Sequence, residues 1–295
     1  MRILIAGGTG FLGRALALRL LRKGYSVTVL TRDSQSVSRL LPPETESISW
    51  NSEPFRLPDN LSAIIQLSGS SIAQWPWSQR RKDLLVRSRV ATTRKLLEAV
   101  SRMEKKPEVF LSASGMGYYG KTGEREVHSK DPAGTDFLGR LASSWENEVF
   151  KAHDLGMRTA VLRLGMVLGR GGGALPKMAL PFRWGMGAVL GSGNQFWPWI
   201  HRDDAVEMFI QALSDPAYSG SYQAVAGEPV TQREFSKIMA AALHRPCLFR
   251  IPENVLRLGL GEMAELFLHG QRARNDGPGF KPRFGSLRDA IRESI

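Results

Sequence analysis

The chain has 295 residues with 40 Lys and Arg against 28 Asp and Glu, a formal net charge of +12, and one cysteine, Cys247. No apolar stretch approaches the roughly eighteen residues of a membrane-spanning helix, and a lone cysteine excludes an internal disulfide, so neither a helical membrane span nor a disulfide scaffold is expected. The first residues run from Arg2 through four apolar residues into glycines, too short a core for a secretory signal, and a cytoplasmic protein without membrane attachment is expected.

The run Ile3-Leu4-Ile5-Ala6 leads into Gly7-Gly8-Thr9-Gly10-Phe11-Leu12-Gly13, and Leu16, Leu18, Leu20 and Leu21 follow at helical spacing. Strand, glycine turn and helix make a cradle for a pyrophosphate. Glycine permits positive φ and close backbone approach, and the free N–H groups of the new helix face the anion. Thirty glycines will produce such a match by chance, so context decides. The context is present: a second strand, Tyr25 to Arg32, comes about twenty residues later. It ends on Thr31-Arg32, where an NAD site places Asp or Glu against the ribose hydroxyls. An Arg–phosphate contact worth about 1.5–3 kcal/mol would favour NADP over NAD by roughly tenfold to a hundredfold. Asp33 is the competing acidic reader and is read as a loop residue; for Arg32 the alternative is plain surface solvation. NADP(H) is the expected cofactor.

A polar stretch from Asp33 to Asn60 follows, with a short strand about Ser47 to Trp50, and then the strand Ala63 to Leu67 closing on Ser68-Gly69-Ser70. The pattern next predicts one helix from about Ser78 to Ser101, a strand Val109 to Ala113, a helix Asp136 to His153 and a strand Thr159 to Leu164. This alternation predicts an α/β fold, a Rossmann-like doubly wound parallel sheet with a smaller, mostly helical C-terminal substrate lobe. Residues 1–168 are expected to form the NADP-binding domain, with 196–226 returning to it, and 169–195 with 227–295 the smaller lobe. Loops after residues 6, 31, 67, 113 and 164 should then converge on one crevice.

In the lobe, Gly169-Arg170-Gly171-Gly172-Gly173 opens a helix at Ala174 to Arg183, as an anion-receiving turn beside Lys177 or as a connector. Trp184, Gln195, Phe196, Trp197 and Trp199 offer a flat apolar wall, or packing between lobes. Thr231-Gln-Arg-Glu234 reads as a capping box, Pro252 starts a further helix, and Leu287 to Ile295 forms the last one.

The basic residues Arg80, Arg81, Lys82, Arg87, Arg89, Arg94 and Lys95 share the helix of Leu84, Leu85, Val90 and Leu96, and much of that cluster reads as a solvated face. No nucleic-acid-binding motif accompanies it, so no nucleic-acid partner is expected. His128, His153, His244 and His269 lack ligand spacing, His201 before Asp203 and Asp204 reads as a structural joint between lobes, and no metal is expected. Cys247 reads as a spare small residue.

Gly7-x-x-Gly10-x-x-Gly13, Leu67-Ser68-Gly69, Ser112-Ala113-Ser114 before Tyr118-Tyr119-Gly120, and Trp199-Ile200-His201-x-x-Asp204 together resemble extended short-chain dehydrogenases/reductases. Ser88-Arg89-x-x-x-Thr93, Trp145-Glu146, Arg163-x-Gly165-x-Val167-Leu168-Gly169, Gly191-Ser192-Gly193-x-Gln195 and Gly270-Gln271-Arg272 narrow this. They resemble the atypical epimerase-family proteins sometimes labelled cell-division-inhibitor-like. The resemblance spans nearly the whole chain and implies cofactor contacts from Gly7, Thr9, Gly10, Phe11, Leu12, Gly13, Thr31, Arg32, Leu67, Ser68, Gly69, Val167 and Arg89. A guanidinium at Arg89 can stack on adenine or fork onto phosphate. A homodimer through sheet-flanking helices enters on the same ground.

Short-chain reductases use a Tyr-x-x-x-Lys pair on the helix after the fifth strand. None of Tyr25, Tyr118, Tyr119, Tyr218 and Tyr222 has lysine four residues on, and the helix that should carry the pair begins Asp136-Phe137-Leu138. The substitutes are Ser114, at the mouth of the crevice, to polarise a substrate oxygen, and Tyr118 or Tyr119, with Lys121 beyond, to move a proton. Ser112 is expected to be buried in its strand. The expected function is an NADP(H)-dependent atypical reductase acting on a small carbonyl or hydroxyl metabolite. Its alternatives are a non-catalytic NADP(H)-responsive regulatory protein and a nucleotide-sugar epimerase.

Overall fold

The computed structural model describes residues 1–52, 55–74 and 77–295, so Glu53 and Pro54 of the polar stretch lie outside the described residues. Seven parallel strands form the central sheet: β1 (Arg2–Ala6), β2 (Ser26–Thr31), β3 (Glu46–Ser49), β4 (Leu61–Gln66), β5 (Val109–Gly115), β6 (Arg158–Leu164) and β7 (Gly220–Ala224). Their order is β7-β6-β5-β4-β1-β2-β3. Ile3, Leu4, Ile5, Ala6, Ala63, Ile64 and Ile65 are wholly buried. That is why these strands read as continuous apolar runs, since a parallel sheet is covered on both faces. The order reverses between β1 and β4, and the carboxyl ends of strands at such a reversal form a ligand crevice.

The helices are α1 (Phe11–Arg22), α2 (Gln35–Leu40), α3 (Gln79–Arg87), α4 (Val90–Ser101), α5 (Phe137–Phe150), α6 (Leu175–Arg183), α7 (Arg202–Ser214), α8 (Gln232–Ala242), α9 (Glu253–Leu260), α10 (Glu265–Leu268) and α11 (Leu287–Ser294). α1 packs on α7 and α4 on α5; right-handed crossovers put the two pairs on opposite faces of the sheet. The doubly wound sheet and a smaller, mostly helical lobe around α6 and α8 to α10 make up the chain. The Thr231 hydroxyl and the Glu234 carboxylate cap the start of α8 reciprocally, as the capping box predicts.

The helix predicted over 78–101 is two helices, α3 and α4. Ser88 and Arg89 break it, Arg89 standing at φ −115° and ψ −63°. The Ser88 hydroxyl accepts the Ser70 N–H at 3.0 Å and donates to the Leu85 carbonyl, a local bonding pattern that competes with the helical ladder. The break turns Arg89 back toward the β4 loop. The basic face is also less solvated than its composition predicts. Arg94 forks onto Glu148, Lys95 donates to the Trp50 carbonyl, and Lys82 meets Glu262, while Arg80 and Arg87 remain exposed.

Candidate functional site

The glycine turn is shaped by contacts that leave no room for side chains. Gly7 stands at φ +85°, and a Cβ there would lie 2.9 Å from the Ser68 backbone nitrogen; at Gly13 it would lie 2.3 Å from the Gly7 carbonyl oxygen. At Gly8 the space is filled by Val29. The backbone of Gly10 caps α1 in an extended conformation without a side-chain acceptor, so the first turn of the helix opens on the crevice. Thr9, Phe11 and Leu12 are half-buried beside it. The Phe11 ring packs against Gly172 and Gly173, where added Cβ atoms would fall 2.8 and 2.9 Å from it, and the Arg202 guanidinium is 5.7 Å from its centroid. Gly172 and Gly173 are therefore seated on Phe11, while Gly171, with open space around it, stands at φ +81°.

At the end of β2 the two candidate ribose readers are dealt different roles. Asp33 is used by its own turn: Oδ1 accepts the Gln35 N–H at 3.0 Å, and Oδ2 stands 3.6 Å from Arg39. Thr31 is buried, its hydroxyl bonded to the Asp33 backbone. Arg32 is exposed and has no ion-pair partner among the described residues.

Across the crevice, Ser68 donates to the Gln66 side chain at 2.7 Å, and the Arg89 guanidinium lies flat against Gly69, 3.0 Å from where a Cβ would stand. Arg89 donates to the carbonyls of Ser70 at 3.0 Å and Leu85 at 3.2 Å, and its guanidinium is 5.4 Å from the Trp145 ring centroid. Burial, with a contribution from Arg81, lowers its pKa to about 10. It stays charged at neutral pH, and no carboxylate pairs with it among the described residues. Trp145 and Gln66 both donate to the buried Thr93 hydroxyl, tying α4 to α5 and β4. Sequence reasoning gave Gln66 no role; a lone amide inside an apolar strand was the available signal.

The end of β5 separates the proton-transfer candidates. Ser114 is buried, and its hydroxyl has no hydrogen-bond partner among the described residues. Tyr119, expected as a possible acid, is instead a buried structural acceptor: its oxygen takes N–H bonds from Arg163 at 2.9 Å and Gln223 at 3.0 Å. Burial raises its pKa, outweighing Arg163 and Gln223. Lys121 is committed to Glu265 at 2.7 Å and assists neither tyrosine. Tyr118 is half-buried, with the Arg163 guanidinium 3.4 Å from its ring centroid. Phe137 packs edge-on against Trp77 and Leu138 lies against Gly117, so the start of α5 offers packing and no phenol. Val167 is half-buried in a short ladder, 166–168 beside 199–201.

Three further expectations resolve here. His201 is structural, its Nδ1 accepting the Asp203 N–H at 3.2 Å and its ring 3.9 Å from Phe284, with burial lowering its pKa. Trp197 and Trp199 are buried in the core, Trp197 edge-on against Phe235, so they do not form an open wall; of the five wall residues Trp184 alone is widely exposed. Ser112 is buried in β5 and donates to the neighbouring carbonyl. Among the described residues no group of three metal-ligating side chains exists, and no helix is long and apolar enough to cross a membrane.

The model of the NAD dependent epimerase/dehydratase family matches residues 3–226. The chain belongs to the NAD dependent epimerase/dehydratase family. Within it, the chain is 33% identical over 300 residues to the epimerase family protein YfhF of Bacillus subtilis, covering 100% of this chain and 98% of that protein. It is also 33% identical to the chloroplastic SDR39U1 homolog of Arabidopsis thaliana, over 99% of this chain and 86% of that one. The crystal structure of human SDR39U1 isoform 2 with NADPH superposes with a TM-score of 0.87 at 32% identity, covering 99% of this chain and 98% of that one. UDP-glucuronic acid 4-epimerase of Bacillus cereus, at 17% identity and a TM-score of 0.81, shares the family fold and no more.

Proposed function

We propose that this protein binds NADP(H) in the crevice at the β1–β4 reversal and interconverts a small carbonyl metabolite and its alcohol. The observation that carries the cofactor choice is the contrast at the end of β2, where Asp33 is consumed by its turn and Arg32 is free. The NADPH bound to the human relative supports the same reading. The residues fit the group: Gly7, Gly10 and Gly13 with Thr9, Phe11 and Leu12 would hold the pyrophosphate, and Thr31 and Arg32 the phosphorylated ribose. Leu67, Ser68, Gly69, Arg89 and Val167 would line the rest. Calorimetry with NADPH and NADH tests the assignment. Arg32→Ala should weaken NADPH by about tenfold to a hundredfold and leave NADH nearly unchanged; retained NADPH preference would remove Arg32 from its role.

When bound, the nicotinamide exchanges a hydride with a substrate carbon. The buried Ser114 hydroxyl, lacking a protein partner, would donate to the substrate oxygen, and Tyr118 or an ordered water would carry the proton. Ser114→Ala should cost no stability, because it deletes an unsatisfied polar atom. Its turnover should fall by about a hundredfold, as for loss of an oxyanion donor. Unfolding curves and NADPH oxidation across a set of carbonyl compounds provide the two readouts. The missing Tyr-x-x-x-Lys pair and the engaged Tyr119 favour a second reading, a cofactor-responsive binding protein; tight NADPH binding with no turnover on any carbonyl would select it. The nucleotide-sugar epimerase reading rests on fold alone and is not retained. The proposal takes residues 1–168 with 196–226 as the cofactor domain and the remainder as the substrate lobe, in a cytoplasmic protein that pairs through its sheet-flanking helices.

A further inference from the structure

Between α1, α7 and the segment before α11 a cavity of about 700 Å³ opens, sharing Phe11 with the turn that starts α1. One face of α1, carrying Gly13, Leu16, Ala17 and Leu20, is buried on the sheet, while Arg14, Ala15, Leu18 and Arg22 turn toward this cavity. Its apolar lining comes from Phe11, Ala15, Leu18, Leu40, Val206 and Phe280. Arg14, Arg19 and Arg22 line it from α1, together with Arg170 and with Arg202, whose guanidinium is 5.7 Å from the Phe11 ring centroid. Lys281 and Arg283 complete the cationic set.

The acidic residues of the lining are Asp203, Asp204 and Glu207. Each is engaged. Asp203 pairs with Arg202 at 2.9 Å, Asp204 accepts the backbone N–H groups of Arg283 and Phe284, and Glu207 faces Arg19 and Lys23 at 3.5 and 3.6 Å. Arg14, Arg22, Arg170, Lys281 and Arg283 therefore have no carboxylate partner among the described residues. Five cations without carboxylate partners around an apolar hollow, of which Arg14 and Arg170 donate to the carbonyls of Gly171 and Glu293, form a positive potential there. Pockets of about 300–1,000 Å³ suit small molecules, whereas a nucleic-acid strand follows an extended basic stripe.

We infer that this cavity is a second ligand site, for a phosphorylated small molecule with a planar apolar portion, of nucleoside monophosphate size. The phosphate lies among Arg14, Arg22 and Lys281, and the apolar portion rests on Leu18 and Phe280. Calorimetric titration of the NADPH-saturated protein with AMP and with inorganic phosphate tests it. One AMP should bind per chain, at least tenfold more tightly than phosphate. The double variant Arg22→Glu/Lys281→Glu, at two exposed positions, should weaken AMP at least tenfold. Arg80→Glu, a comparable charge reversal on α3, and Arg32→Ala, in the crevice, should leave it within twofold. Absence of saturable AMP binding, equal affinity for AMP and phosphate, or a comparable loss in Arg80→Glu would overturn the proposal. AMP binding seen only in the protein without NADPH and lost on NADPH saturation would place AMP in the crevice, sinking this site and leaving the Arg32 assignment to its own test. Salt-sensitive binding of a single-stranded oligonucleotide, abolished by the double variant in a protein indifferent to AMP, would assign the surface to nucleic acid instead.

Discussion

Gly13→Ala is expected to abolish measurable NADPH binding and to destabilise the fold by about 3 kcal/mol, at the upper end of overpacking costs. The added methyl would stand 2.3 Å from the Gly7 carbonyl oxygen and 2.7 Å from the Gly8 Cα, and both neighbours are backbone atoms that no rotamer change can move. Relief requires α1 to shift away from the turn, and α1 cannot shift alone because Leu16, Ala17 and Leu20 are wholly buried under it. Any displacement also withdraws the N–H groups of the first helical turn from the crevice, where an anion gains their combined dipole. Gly259→Ala serves as the control. It lies inside α9 with nothing within 4 Å of the new methyl, so it should stabilise by about 0.5–1 kcal/mol. Urea unfolding and calorimetric NADPH titration of the two variants give the comparison; tight NADPH binding by Gly13→Ala would show that the turn is not the cradle.

The contrast between these glycines explains why part of the site was legible in the sequence. A glycine turn between an apolar run and a helix is specified by neighbouring residues, so β1, the turn and α1 are encoded locally, and β2, β4, β5 and β6 follow from the apolar runs of a doubly covered sheet. The helix break at Ser88-Arg89 was not legible, because it depends on the Ser70 N–H, eighteen residues away in another loop. Nor was the fate of the tyrosines. Tyr118 and Tyr119 are equivalent as neighbours in sequence, and only the arrival of Arg163 from β6 and Gln223 from β7 commits one hydroxyl to the interior and leaves the other without those bonds. Asp33 is intermediate: an acidic residue followed by Ser34 and Gln35 suits a turn, and its bond to the Gln35 N–H has that local character. Cavities such as the one between α1 and α7 join residues from opposite ends of the chain, and periodicity in a single segment carries no trace of them.

Arg163→Met should lower unfolding free energy by about 3–5 kcal/mol, the cost of leaving a buried charge without its partner. Arg163 and Glu146 are each 4% exposed at the side chain and joined by two bonds, Nε to Oε1 at 2.9 Å and Nη2 to Oε2 at 2.7 Å. Burial opposes the guanidinium charge, yet the bond to and charge of Glu146 prevail and hold its pKa above the ordinary arginine value. The remaining nitrogen donates to the Tyr119 oxygen and to the Ser129 carbonyl, while Ser221 donates to Glu146 at 3.2 Å. A methionine would fill much of the volume but strand the Glu146 carboxylate in the core. Arg163→Met/Glu146→Leu should regain most of the loss, since a well-packed apolar pair can replace a buried ion pair at little net cost. Stability and chemistry then come apart. The double variant still lacks the cation beneath Tyr118, so if Tyr118 carries the proton, turnover should remain depressed after the fold has recovered, and a double variant with normal turnover would remove Tyr118 from the reaction.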